Sequence, residues 1–215
     1  MSTIKTNSIT HLDKSGTANM VLASDGKVSI AEKKLYSPGC IIQVVSHTKS
    51  DKSKAATTRG SSQNFLDFAT QIGDYELAIT PTSTASKILV MFDVTITSSG
   101  RYGAFGLVRK IGNGSYAQIS KGDTFGTKRP PITKGVNHDD AWSNYDQAVQ
   151  PGSVSGTWLD TTHNTTDTIT YSGYVGGMNG ETVYVNSSEY GYETADDEPY
   201  AGSCTSSLTA MEICG

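Results

Sequence analysis

Cysteine is scarce in this chain. Cys40, Cys204 and Cys214 are too few and too scattered for a disulfide scaffold or a thiolate zinc site. Long apolar runs are missing too: nothing approaches the ~20 residues of a membrane helix, and residues 1–20 lack the apolar segment of a secretory signal. The expectation is a soluble protein made in the cytoplasm with no membrane partner. Charged side chains make up only 18% of the sequence, against roughly 25% in an ordinary domain. That speaks against a charge-swollen disordered chain. Basic residues stop altogether after position 135: residues 136–215 hold twelve acidic groups and no Lys or Arg. Catalytic signatures are absent as well. There is no phosphate loop, no His-Glu-x-x-His and no nucleophile elbow. Gly152-Ser153-Val154-Ser155-Gly156 imitates the elbow, but Val154 holds the nucleophile's place, and the stretch reads as a flexible loop.

What remains is unevenly arranged. Residues 1–60 carry nine basic and four acidic side chains, and 61–135 carry eight and five. The basic residues stand singly without interleaved aromatics, so no nucleic-acid partner is expected. A basic base and an acidic rim would instead orient a subunit against a partner of opposite sign.

From residue 39 onward, short runs rich in Val, Ile, Thr, Tyr and Phe recur between turn signals, as pleated surfaces prefer. They predict strands at 41–46, 64–70, 75–80, 87–97, 103–110, 116–120, 156–159, 168–175, 182–186 and 208–214. Thr168-Ile169-Thr170-Tyr171 and Thr182-Val183-Tyr184-Val185 alternate with period two. Helical periodicity is nearly absent, with room for one short turn near 139–149. Ten strands without helices predict an all-β sandwich, with a jelly roll as the size match. Residues 1–38 are different. Ile4, Ile9, Leu12, Met20, Val21, Leu22, Val28 and Ile30 are spread among polar residues and cannot close a core alone. Ser24-Asp25-Gly26-Lys27 predicts a tight turn between Val21-Leu22 and Val28-Ile30. The division expected is an extended, β-rich N-terminal segment, 1–38, followed by a head domain, 39–215.

Two runs break the alternation expected of a sandwich strand. Ile41-Ile42 with Val44-Val45, and Ile88-Leu89-Val90-Met91-Phe92, are apolar on both faces, whereas the outward face of a sheet should be polar. A second copy of the chain is the economical cover. Ile42, Val44, Ile88, Val90, Phe92 and Met211 are therefore expected at a subunit interface. In the last strand, Leu208, Ala210 and Glu212 share one face and Thr209, Met211 and Ile213 the other. One face should fill the sandwich and the other the interface.

Several segments in order resemble the trimeric jelly-roll modules of tailed-bacteriophage virion proteins. These share their architecture with the tumour-necrosis-factor and complement globular heads. The likeness rests on Gly39-Cys40-Ile41-Ile42-Gln43-Val44-Val45, on Ile79-Thr80-Pro81-Thr82-Ser83-Thr84-Ala85-Ser86-Lys87-Ile88-Leu89-Val90, and on Leu107-Val108-Arg109. It continues through Thr157-Trp158-Leu159-Asp160, Tyr171-Ser172-Gly173-Tyr174, Val183-Tyr184-Val185-Asn186 and Ser206-Ser207-Leu208-Thr209-Ala210-Met211-Glu212-Ile213. The opening Ser2-Thr3-Ile4-Lys5-Thr6-Asn7-Ser8-Ile9-Thr10 is similar to the start of short tail-fibre and structural proteins of marine phages, cyanophage-like ones included. The loop 122–150 is longer than the pattern and matches none of it. The resemblance implies a homotrimeric jelly-roll β-sandwich head on a virion. Its N-terminal segment would be docked to other virion proteins through Ile4, Lys5, Ile9 and Leu12. It also implies that the first and last head strands are antiparallel neighbours, which would bring Cys40 beside Cys214.

Such a particle component needs no chemistry, and no enzyme is expected. It can still bind a host-surface glycan or protein, for which Asp139, Asp140, Trp142, Tyr145 and Tyr192 are the candidates. Rings stack on sugars and acids take their hydroxyls. The alternative is a capsid or tail decoration protein that staples subunits and binds no host. Glycan cleavage would need two carboxylates roughly 5–9 Å apart among aromatics. Asp139, Asp140, Asp146 and Asp160, near Trp142, Tyr145 and Trp158, supply the residue types. No cofactor is called for. His138-Asp139-Asp140, and Glu193, Asp196, Asp197 and Glu198 in the Tyr- and Gly-rich loop 190–200, offer oxygen ligands of the kind Ca²⁺ takes. Neither has the spaced pattern of a calcium loop, and a solvated turn is the simpler account of both.

Overall fold

A computed structural model describes residues 8–9, 20–22, 24, 28–30, 38–58, 64–100, 102–123, 131–137, 151–177, 180–188 and 203–215. The N-terminal segment contributes β1 (Ser8–Ile9), β2 (Met20–Leu22) and β3 (Val28–Ile30). They form a three-stranded sheet in that order, and none of them pairs with a strand of the head. The hairpin predicted around Ser24 is present, with Met20 opposite Ile30 and Leu22 opposite Val28.

The head is an antiparallel sandwich of the jelly-roll kind. Its first sheet holds β4 (Ile41–Lys49), β5 (Ser53–Ala56), β7 (Lys87–Ser98), β11 (Gly152–Asp160), β13 (Thr182–Val185) and β14 (Ser206–Ile213). The path runs β4-β14-β7-β13-β5, and β11 pairs with β7. The second sheet holds β6 (Thr70–Ile79), β8 (Tyr102–Ile111), β9 (Ala117–Ser120), β10 (Lys134–Asn137) and β12 (Ile169–Gly177). It runs β10-β8-β12-β6, with β9 on β8.

Period-two alternation decides what goes inside. On β14, Ser206, Leu208, Ala210 and Glu212 are buried and their neighbours are only partly covered, as the sequence pattern requires. On β7 the buried set is Ile88, Val90, Phe92, Val94 and Ile96. These meet Ile72, Tyr75, Phe105, Leu107 and Tyr171 of the second sheet in one core. Phe92 and Phe105 lie 5.0 Å apart between ring centroids, across the sandwich.

Three expectations need correction. Residues 64–69 are not a strand. Phe65–Asp67 is a 3₁₀ turn, in which the Asn64 side chain accepts a hydrogen bond from Leu66 N at 3.3 Å. Its product is a second small core of Phe65, Phe68 and Ala104 on the outer face of the second sheet. Gly106 makes that possible, because a Cβ there would lie 2.5 Å from the Phe65 ring. The Gly152–Gly156 stretch is not a loop but the first half of β11, registered on Phe92–Ile96 of β7. Finally, the loop 122–150 is interrupted by β10, which pairs with β8 from Lys134↔Phe105 to Asn137↔Tyr102.

Candidate subunit interface and a polar cluster on the opposite sheet

The outer face of the first sheet carries an unbroken apolar row. Val44 of β4 registers on Met211 of β14. Met211 registers on Leu89 of β7, and Leu89 on Leu159 of β11. Ile41 pairs with Ile213 at one end of the row, beside a bulge that leaves Ile42 between the registered pairs. Met91, opposite Thr209 and Thr157, widens it at the centre. Ile41 is 57% exposed, Val44 54% and Leu159 43%, three of the four exposed large apolar residues among those described. Their collection on one face is therefore a property of the sheet rather than scatter. Lys87 and Asp93, both exposed, bound the row along β7.

Val44 and Met211 lie on this outer face, with Ile42 at the bulge. Ile88, Val90 and Phe92 do not. They are buried in the sandwich at 0%, 0% and 4% exposure, and the outward side chains of that strand are Leu89 and Met91. The sequence holds a signal for this choice. Lys87 and Asp93 flank the apolar run at odd positions, which marks the odd side of β7 as the wet one. The sequence masks the outward side of Leu159 for the opposite reason: Asp160 looks like the solvent residue of its strand, yet it is the buried one.

Asp160 reaches the second sheet. Arg109 Nη1 donates to both of its carboxylate oxygens at 2.7 Å. Tyr171 OH donates to Oδ2 at 2.8 Å, and Thr162 N to Oδ1 at 3.1 Å. Burial pushes the Asp160 pKa up, but the Arg109, Thr162 and Tyr171 donors outweigh it and hold it below the ordinary range. An acid so held stays ionised near neutral pH and is not the proton donor of a glycan-cleaving pair. At the same end of the sandwich, Glu212 accepts from Thr82 N and Thr82 Oγ1 at 2.7 Å each and from Gln43 Nε2 at 2.6 Å. Burial again opposes, and the donors around it, with Ser86 and Thr82 ahead of Gln43, lower its pKa. The Ser86 hydroxyl lies beside this carboxylate without meeting hydrogen-bond geometry. Both acids are fasteners.

The implied strand neighbours are present. Cys214 N donates to Cys40 O at 2.9 Å, and Gly39 N to Cys214 O at 2.8 Å. The two residues are thiols, not a disulfide.

On the outer face of the second sheet a polar and aromatic cluster is assembled by a bulge. Inward residues of β6 are Ile72, Tyr75, Leu77 and Ile79, so the alternation slips between Ile72 and Tyr75. Asp74 adopts a left-handed φ of 54° there, and its carbonyl meets His47 Nε2 at 2.9 Å. The slip places Gln71 and Glu76, five residues apart, on one face. Gln71 Nε2 donates to Glu76 Oε2 at 3.2 Å and to Ser172 Oγ at 3.2 Å. Tyr116 OH donates to Glu76 Oε2 at 2.7 Å. Burial, then the Glu76 carboxylate, raise the Tyr116 pKa, which keeps that proton in place. The Tyr174 ring stands edge to face with Tyr116 at 5.7 Å, and Lys110 Nζ lies 4.8 Å from the Tyr116 ring centroid. No periodicity argument joins Gln71 to Glu76, because the bulge reverses the parity between them.

Asp139, Asp140, Trp142, Tyr145, Tyr192, Glu193, Asp196, Asp197 and Glu198 lie outside the described residues, as do Ile4, Lys5 and Leu12. Ile9 is described by its backbone only, as a partner of Met20. Among the described residues, no three His, Cys, Asp or Glu side chains gather as metal ligands.

No family model and no curated protein matches the chain. Among solved structures it is similar to the VP2 subviral particle of infectious bursal disease virus, at 10% identity and a TM-score of 0.38, over 80% of this chain and 33% of that one. It is also similar to that virus's Gt strain structure, at 10% identity and 0.34 over 90% and 42%. A third is the T13 viral particle of the same virus, at 12% and 0.33 over 80% and 36%. The chain spans about a third to two fifths of the length of these virus-particle proteins. A likeness at this level carries no assignment of role.

Proposed function

We propose that the chain is a non-enzymatic structural subunit of a virus particle. In this reading it is an appendage of the tailed-phage kind that assembles as a homotrimer, held to the particle by residues 1–38. The observation that carries the reading is the row Val44–Met211–Leu89–Leu159. Four adjacent strands present apolar side chains on a face that the described chain leaves uncovered, and a second copy with the same row is the matching cover. The sequence likeness to trimeric virion jelly rolls supports the same assembly. So does the neighbour relation of β4 and β14, which both likeness and interface require. A sandwich has two opposite outer faces. With the first sheet turned toward the other subunits, the second sheet and its Tyr116 cluster face what the particle meets, which suits recognition of a host surface.

Light scattering on the purified chain at micromolar concentration tests the assembly. Three copies of the 22.8 kDa chain are expected, and a monomer would overturn it. Gold-labelled antibody against the head, imaged on particles, tests the location.

A further inference from the structure

We infer that Gln71, Glu76, Lys110, Tyr116 and Tyr174 form a binding site for a neutral saccharide. The inference rests on the recognition reading above and gives it a place and a ligand class. The first ground is preorganisation. The network Gln71–Glu76–Tyr116 is closed by hydrogen bonds of 2.7–3.5 Å and tied to the sheet through Ser172, whose hydroxyl donates to Tyr75 O at 2.9 Å. Side chains fixed this way lose little further entropy when a ligand arrives.

The second ground is unused polar capacity. Both hydrogen bonds to the Glu76 carboxylate fall on Oε2, leaving Oε1 open on an exposed residue. Gln71 uses only its amide nitrogen, which leaves its carbonyl oxygen as an acceptor. The Tyr174 hydroxyl takes no partner among the described residues, and Lys110 forms no ion pair there. Two acceptors, a donor–acceptor hydroxyl and an ammonium thus surround two half-buried rings. Vicinal hydroxyls present both donors and acceptors, and a pyranose adds a C–H face for a ring. The Glu76 carboxylate and the Lys110 ammonium offset one another, so the site has no net charge to select an ionic sugar. A purely apolar ligand would leave the open acceptors dry.

The cluster ties β6 to β12 through Gln71 and Ser172, but its two rings lie outside both apolar cores. The sandwich core lies on the other side of the sheet, and the outer-face packing centres on Phe65 and Phe68, with Tyr174 only at its margin.

Saturation-transfer difference NMR tests the site on the full chain, using maltotetraose, chitotetraose and a β-1,3-glucan tetrasaccharide as probes. Transfer from protein to at least one probe is expected, with millimolar affinity for a single site. Tyr116→Ala and Glu76→Gln should each weaken it at least tenfold. Thr48→Ala, exposed on β4 of the first sheet and outside the apolar row, should leave it unchanged. Circular dichroism melting of Glu76→Gln, which keeps an acceptor for the Tyr116 hydroxyl, separates lost binding from lost fold. No transfer to any probe, or transfer unaffected by either substitution, overturns the inference. Light scattering on the same samples reads the assembly separately, so a trimer that binds no saccharide refutes this site and leaves the structural role standing.

Discussion

Asp160 fastens the two sheets at one end of the core, because it joins β11 to Arg109 on β8 and Tyr171 on β12 at once. Its side chain is 1% exposed and that of Arg109 14%, so little solvent competes for the pair. Removing one partner strands the other's charge, which costs about 3 kcal/mol or more in such settings. Asp160→Asn is expected to lower the melting temperature by on the order of 10 °C, given the usual 2–4 °C per kcal/mol for a chain of this size. The pH dependence has a definite sign. Asp160 and Glu212 both have folded pKa values below their ordinary 3.8 and 4.5. Their stabilisation is complete above those ordinary values and is lost as pH falls through the lower folded ones. Melting temperatures taken from pH 7 down to about 2 should therefore fall steeply only in the acid limb. Asp160→Asn should start lower and descend more gently, and parallel curves would refute the assignment. Gly106→Ala acts in the same range of energies by a different route. Its Cβ meets the fully buried Phe65 ring, and overpacking of that kind costs about 1–3 kcal/mol.

At the level of elements, the pairing of β4 with β14 brings the two ends of the head domain together and sets Cys40 against Cys214. Antiparallel neighbours lie roughly 4.5–5.5 Å apart between Cα atoms, inside the span a disulfide tolerates. Oxidised glutathione is expected to join them: the two thiols give up two protons and two electrons, and the glutathione disulfide is reduced to two thiols. Some desolvation, then the Cys40 thiol nearby, raise the Cys214 pKa, so the reaction should quicken as pH rises above neutrality. Non-reducing peptide mapping should recover Cys40 linked to Cys214 and Cys204 unlinked; a Cys204 adduct would contradict the strand order.

This pairing is what the family resemblance implies, whereas the alternation on β14, the β2–β3 hairpin and most strands of the head are legible in the sequence itself. The failures have physical causes. Ser53-Lys54-Ala55-Ala56 and Lys134-Gly135-Val136-Asn137 become strands because neighbours offer ladder partners, which no local apolar run announces. Gly152-Ser153-Val154-Ser155-Gly156 is loop-like in composition, yet Val154 is drawn into the core opposite Val94. Phe65 and Phe68 fall on one side of a single tight turn, and the strand propensity of their neighbours masks that three-residue spacing. Of the four strands of the outer apolar row, β4, β7 and β14 are legible as contributors in the sequence but β11 is not, nor on β7 is the side, and the polar cluster is not legible at all, since it depends on a bulge.

For the whole molecule the two outer faces differ, one apolar and one polar, and this makes the proposed assembly a question of side-chain parity. On β7, Met91 points outward and Val90 inward, one residue apart. Met91→Asp combined with Leu159→Asp places charge on the apolar row without touching the core. It should convert the proposed trimer to monomer while keeping the melting transition of the folded head. Val90→Asp buries an unpaired carboxylate and should unfold the chain outright. Salt distinguishes the nature of the contact. Interfaces held by exposed ion pairs weaken as the screening length shrinks to about 3 Å at 1 M, whereas apolar burial does not. With a net charge of −4 on each chain, screening also relieves repulsion between copies. Sedimentation of the wild-type chain between about 0.05 M and about 1 M sodium chloride should therefore show the trimer unchanged or tighter at high salt. Dissociation at high salt would move the subunit contact away from the Val44–Leu159 row and onto charged surface elsewhere on the head.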